Sequence, residues 1–346
     1  MKTKFLRAVA LLAVLGMFLC GICACANSQN QKTVATMGEY EIPYEQLRFI
    51  TMFYKADLDA LYGDGNAENG TIWEDAATAE AHRAELEELV WSTVRNNYAV
   101  LQACSNYKIG REAFDGKEVK AAVDEQIDLL ISEFASKSEY KDFLKENYAT
   151  ESLYRFYFAL DEMKYLLHAA MQKEGAFFTD EQVFEEWLMD GNSAYVQHFR
   201  LAFEDDAQKE TNRTILENAR QKLIKGEWTL AECINLANDD LSNVAPFYVV
   251  RGVHKDVLVD AAVELDEGDV SEIIEVENVL YVLVRMEETP IEGANGTEET
   301  PLSLQLTNLL LNYQWAIVGD AVEIAESNTQ IELTDYGKSI DLVAMK

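Results

Sequence analysis

Apolar positions recur at helical spacing over most of the chain. Leu47, Ile50, Phe53, Tyr54, Leu58 and Leu61 form one stripe after Pro43. Proline suits a first helical turn because the N–H it lacks would be unpaired there anyway. Ahead of that helix, residues 33–42 read as a short hairpin turning near Gly38. Leu86, Leu89, Val90, Val94, Tyr98 and Leu101 predict a long helix over about 78–107, and further helices follow at about 116–135, 138–147 and 150–173. Thr179 with Gln182 has the spacing of a capping box and starts a last short helix at 180–190. No strand pattern interrupts this series, so residues 33–190 are expected to form a helical module.

The pattern changes near Asn192. Residues 195–203 alternate apolar and polar like a strand, helical patterns cover about 206–225 and 228–238, and 245–250 returns to strand character. A short helix at 255–264 and a strand pair at 271–276 and 279–286 complete a β-α-α-β-α-β-β unit over 191–288. The Pro- and Gly-containing stretch 289–301 reads as a linker, and an amphipathic helix at 302–326 leads to the strand-like Gln330–Leu333. The fold class is therefore α+β, a mostly helical module with a small mixed domain inserted into it.

The first residues follow a different logic. Lys2, Lys4 and Arg7 precede an apolar run from Ala8 to Leu19, the layout of an export signal, and the run is shorter than the ~20 residues a membrane span needs. Ile22-Cys23-Ala24-Cys25 then resembles a lipobox, with cleavage after residue 24, lipid on Cys25, and residues 25–32 as a polar tether. The alternative is an uncleaved anchor. Both place the chain on the outer side of the cytoplasmic membrane.

Charge narrows the choice of partners. The chain has 29 basic and 61 acidic residues; residues 1–24 hold three of the basic and none of the acidic, so the processed chain carries 26 against 61, a balance of −35. Phosphate recognition needs clustered cations, so nucleic acid is an unsuitable partner. After processing only Cys104 and Cys233 accompany Cys25, either as one disulfide or as two buried thiols. Metal and phosphate motifs are absent from the sequence, and His82 and His168 read as structural, so neither a metal nor a cofactor is expected. The run Tyr154, Phe156, Tyr157 and Phe158 is either a client cradle or core.

Val34–Ile42 followed by a helix with Leu47, and later Ile109-Gly110 with Tyr140–Asn147, resemble the helical chaperone domain of the PrsA and SurA extracytoplasmic foldases. The segment 194–286 is similar to a parvulin-type peptidyl-prolyl isomerase domain. It has His198 in the first strand, Gly226-Glu227-Trp228, Arg251-Gly252, Asp260–Leu265 and Glu267–Ser271 in the family's order. The resemblance implies a chaperone that holds unfolded exported polypeptides, with 302–346 folding back onto the helical module. It also implies a site in which His198 is the first histidine, Tyr281 stands where the second belongs, and Asp239 or Asp240 takes the acidic position. Phe247, His254 and Val263 line the proline pocket. His198 is either hydrogen-bonded to Tyr281 or simply a satisfied core histidine. With part of the family's set replaced, chaperone action ranks above isomerase catalysis, and a binding lipoprotein for one dedicated partner is the third reading.

Replacing Cys25 with alanine is expected to leave uncleaved precursor or to release the protein from membranes, read by fractionation and lipid labelling. A Cys25→Ala protein that still fractionates as a lipid-labelled mature species contradicts the anchor.

Overall fold

The structure, a computed structural model, describes residues 29–63, 70–241, 244–292 and 298–346. It divides into two compact units, one of residues up to Ala170 together with Val318–Lys346, the other Met171–Ile317. Cys25 and the export signal lie outside the described residues.

The first unit begins with strands β1 (Thr33–Met37) and β2 (Tyr40–Pro43), antiparallel with Met37 opposite Tyr40. Gly38 turns the chain at φ +60°, a region open to glycine at no steric cost. Pro43 is the N-cap of helix α1 (Tyr44–Tyr62), whose Leu47, Ile50 and Leu58 are buried. Leu61 of the expected stripe is instead exposed, because the helix end carries it past the core. The long helix expected over 78–107 is broken at His82 into α2 (Ala76–Ala81) and α3 (Arg83–Asn106), with Asp75 capping the first by accepting from the Thr78 N–H. Leu86, Val90, Val94, Tyr98 and Leu101 of α3 are buried as the spacing predicts. Helices α4 (Arg111–Phe114), α5 (Lys117–Ser132), α6 (Lys137–Glu146) and α7 (Glu151–Lys173) follow. The aromatic run of α7 is core rather than an open cradle: Tyr154 is buried, Phe156 packs on Tyr98 and Phe114, and Tyr157 on Phe49.

The second unit contains α8 (Glu181–Trp187), capped by Asp180 and not by Thr179: the Asp180 carboxylate accepts from the N–H groups of Gln182 and Val183. One π turn, Leu188–Asn192, leads into β3 (Ser193–Ala202). Then come α9 (Asp206–Ile224), α10 (Leu230–Leu236), β4 (Phe247–Val250), α11 (Asp256–Val263), β5 (Ile274–Val276) and β6 (Val279–Arg285). The element order is the one the sequence predicts. The sheet is antiparallel in the order β4-β3-β6-β5. Its two faces bury separate clusters. Phe199, Leu280 and Val282 pack with Leu216 and Ala219 of α9 and Cys233 of α10, while Ala194, Val196, Val249 and Leu283 pack with Leu258, Val259 and Ala262 of α11. Alternation along β3 sends successive side chains to opposite faces, which is why one strand serves both clusters. The stretch expected to be a featureless linker carries a small ladder, β7 (Ile291–Glu292) with β8 (Glu298–Glu299).

Helix α12 (Pro301–Asn328) runs into β9 (Ile331–Leu333) and the short α13 (Asp335–Lys338). The unit boundary falls inside α12. Its first half does not join the helical module: Leu302, Leu306 and Leu310 pack with Phe184, Leu188, Tyr248 and Val250 in the second unit. The aromatic rings of Phe178, Phe184, Trp187 and Tyr313 crowd within 5.3 to 5.7 Å of one another there, supplying the apolar surface on which this half of the helix packs in place of the helical module onto which it was expected to fold back. The second half belongs to the first unit, where β9 pairs with β1 in the order β2-β1-β9. Cys104 and Cys233 are two buried free thiols in different units. Among the described residues no helix is long and apolar enough to cross a membrane.

Candidate functional site

Alternation along β3 puts Val196, His198 and Arg200 on the face that α11 covers. Register supplies their neighbours. Val196 lies opposite Phe247 of β4, His198 opposite Leu283 of β6, and Arg200 opposite Tyr281. Phe247 and Tyr281 therefore flank His198 diagonally from the two adjacent strands, a separation aromatic side chains can bridge. The His198 ring centroid lies 5.4 Å from Phe247, nearly perpendicular to it, and 5.9 Å from Tyr281. His254 follows β4 and places its ring 5.8 Å from Phe247. Val263, at the end of α11, packs on the same cluster as Phe247 and Tyr281.

The aspartates arrive by another route. Strand β4 pairs with β3 only as far as Val196, and the chain between α10 and β4 occupies the edge of β3 beyond it. Asp239 N–H donates to the Arg200 carbonyl at 3.1 Å, the Arg200 N–H donates to the Asn238 side chain at 3.3 Å, and the Ala202 N–H donates to the Asp239 carboxylate at 2.6 Å. This satisfies strand groups that would otherwise face an empty edge. It also fixes both carboxylates beside Arg200. The Arg200 guanidinium reaches Asp240 at 3.2 Å and Asp239 at 3.4 Å, and donates to the Tyr281 hydroxyl at 3.2 Å.

The structure thus gathers His198, Tyr281, Asp239, Asp240, Phe247, His254 and Val263 in one region of one sheet face. The hydrogen bond the sequence allowed between His198 and Tyr281 is not formed: the phenol is taken by Arg200. That arginine was missed. The signal was available, since a charged residue at an inward position of an otherwise apolar alternation, two residues after His198, needs a partner.

Electrostatics separate the two histidines from the charges around them. His198 is only 4% exposed, and burial, with the Arg200 guanidinium adding to it, holds its pKa below the ordinary value against the pull of Asp240 and Asp239. Burial likewise lowers His254, whose Nδ1 accepts from the Val250 N–H at 3.1 Å. Both imidazoles are neutral at pH 7. A neutral imidazole and a phenol bound to a guanidinium can shape a pocket and offer hydrogen bonds; they do not form a coupled acid–base pair. Among the described residues no group of three His, Cys, Asp or Glu side chains is placed to hold a metal ion.

Lowered folded-state values fix the direction of a pH effect. In the unfolded chain these histidines titrate near pH 6.5, so below that pH the unfolded state binds more protons. Their contribution to stability is whole above about pH 6.5 and is lost as the pH falls below it. The urea midpoint of the second unit, followed by amide signals of β3 and β6, is expected to drop between about pH 7.5 and about pH 5.5, and to drop less in His254→Gln. An unchanged midpoint, or an equal drop in the variant, contradicts the neutral assignment of His254.

No family model matches the chain, and no curated protein does. Among solved structures it is similar to the peptidylprolyl isomerase PrsA of Bacillus anthracis, with 14% identity, 68% of this chain and 96% of that one covered, and a TM-score of 0.37. The foldase PrsA of Streptococcus pneumoniae is 16% identical over 73% of this chain and 92% of that one, with a TM-score of 0.28. A SurA-like chaperone of Campylobacter jejuni is 13% identical over 87% of this chain and 99% of that one, with a TM-score of 0.27.

Proposed function

We propose that this protein is an extracytoplasmic chaperone, tethered through lipid on Cys25, that holds exported polypeptides and uses its parvulin-like face to bind proline-bearing segments without rotating them efficiently. The observation that carries this reading is the commitment of Arg200 to Tyr281, Asp239 and Asp240 beside His198.

Prolyl isomerisation breaks no bond. Its barrier of ~20 kcal/mol is lost amide resonance, and a catalyst must favour the twisted amide over the planar one. That demands polar groups aimed at the amide and free to respond to it. Here the phenol and both carboxylates already answer a guanidinium, and releasing them uncovers charges in a half-buried setting, which is costly. Misplacing such groups by ~1 Å is enough to cost about a hundredfold in rate.

Holding asks for less. The half-buried Phe247 and His254 rings and Val263 make an apolar wall, with the buried His198 behind it, that a proline ring or another apolar side chain can lie against. Leu236 at the end of α10, and Leu241 and Val244 before β4, are further exposed apolar residues of this unit. A strongly acidic exterior keeps such a surface from self-association and favours clients with basic stretches.

The test is a proline-peptide isomerisation assay run beside suppression of aggregation of a denatured client. His198→Ala and Tyr281→Phe are expected to leave suppression within about twofold of wild type, and the wild-type isomerase rate should sit about a hundredfold or more below that of an efficient prolyl isomerase. A high wild-type rate that collapses in His198→Ala would make this protein an enzyme first.

A further inference from the structure

Residues 339–346 are held in the first unit by an arrangement unlike the rest of the fold. They follow α13 without joining a strand or continuing a helix. The buried Lys55 of α1 extends its ammonium to two of their carbonyls, Val343 O and Met345 O, each at 2.8 Å. The same ammonium lies 5.3 Å from the centre of the Trp73 ring, whose indole N–H donates to the Lys55 carbonyl at 2.7 Å. Arg48, one turn of α1 and more before Lys55, donates to the Lys346 carbonyl at 3.0 Å. Arg83 donates to the Asp341 carboxylate at 2.8 Å, and that carboxylate also accepts from the Val343 N–H at 3.0 Å. Leu342 and Met345 are 4% and 5% exposed.

We propose that this groove is a peptide-binding site whose resident occupant, residues 339–346, exchanges with a client segment that carries a carboxylate immediately before two apolar residues spaced three apart. The inference rests on the reading that the protein holds polypeptides, and it names a second place where it does so.

Three features lead here. First, the backbone is recognised by side chains rather than by a ladder, so the identity of residues 343 and 344 is free while positions 341, 342 and 345 are read. Second, the Lys55 ammonium makes both of its carbonyl hydrogen bonds to this segment, so whatever replaces the segment has to offer acceptors at the same two places. Third, in a chain with 61 acidic and 29 basic residues, Lys55, Arg48 and Arg83 all reach this segment, Arg83 while also paired with Glu80 and Glu87, and this cationic set suits a segment that carries a carboxylate. Exchange of occupants requires the segment to open locally against these anchors. The resident segment competes from within the same chain, at high effective concentration, and masks the site in the wild type.

The probe is a fluorescein-labelled peptide Ser-Ile-Asp-Leu-Val-Ala-Met-Lys, titrated by anisotropy into the full chain. A chain carrying Leu342→Asp and Met345→Asp, which cannot seat its own segment, is expected to bind the peptide about tenfold or more tighter than wild type. Adding Lys55→Met should abolish that binding, and asparagine in place of the peptide's aspartate should weaken it about tenfold. Equal binding by wild type and variant, or no binding by a variant that keeps wild-type helical circular dichroism, overturns the proposal. Amide exchange on the wild type decides the matter if the variant does not fold. Residues 340–346 exchanging about a hundredfold faster than the amides of α3 supports exchange of occupants, and exchange as slow as that of α3 overturns it. Because peptide binding is read directly, a protein that binds peptide but does not suppress aggregation retains this groove and loses the holding function instead.

Discussion

The pairing of β1 with β9 is the constraint on which the first unit depends. Met37 lies opposite Ile331 and Ala35 opposite Leu333, so the fold closes a loop of almost the whole described chain. The closure is reinforced from α13. Thr334 donates its hydroxyl to the carbonyls of Thr33 at 2.9 Å and Val34 at 3.1 Å, and Gly337 comes so close to the Val34 carbonyl that a side chain at that position would collide with it. Loop-closure entropy rises only with the logarithm of length, so the cost of joining such distant segments is modest. The consequence is organisational: everything from α8 to the first half of α12 is an insertion that can carry its own core and its own chemistry.

Within that insertion, the sheet face is governed by one cation. Arg200 interacts with two carboxylates and a phenol, all supplied by segments that β3 itself positions through backbone hydrogen bonds and register. The same guanidinium adds to the burial that keeps His198 neutral. The charges here are paired with one another, and the polar groups that would have to follow a rotating amide are already engaged by the Arg200 guanidinium. On the proposed reading, a polypeptide meets the apolar side of the site, Phe247, His254 and Val263, with His198 buried behind them. Binding without efficient turnover would, on that reading, follow from this division of one face into a closed polar part and an apolar part.

Much of this was legible in the sequence because it depends on local pattern. The stripes of α3, the alternation of β3 and the element order of the second unit follow from periodicity, while the grouping of His198, Phe247 and Tyr281 was an expectation of the family resemblance, because alternation within one strand does not set the register between strands. What was not legible depended on tertiary choice. Leu306 and Leu310 have the spacing of a buried stripe whichever unit receives them; only the aromatic cluster of Phe184, Trp187 and Tyr313 decides. The break at His82 leaves the apolar period intact and so does not show in it. Asp180 displaced Thr179 as the cap because a carboxylate meets two N–H groups at once. Arg200 escaped notice because resemblance directs attention to the positions a family shares, while its role comes from the residue at an inward position that differs.

In the proposed holding mode, client polypeptide contacts the apolar part of the β3 face while the Arg200 network stays closed. Amide and side-chain chemical-shift mapping of the protein with an unfolded, proline-containing client tests it most directly. Saturable shifts are expected at Phe247, His254, Val263 and the neighbouring β3 and β6 amides, with the Arg200 guanidinium and Tyr281 ring signals unmoved. Shifts confined to the Arg200, Tyr281 and Asp240 signals, or none on this face at all, would contradict it.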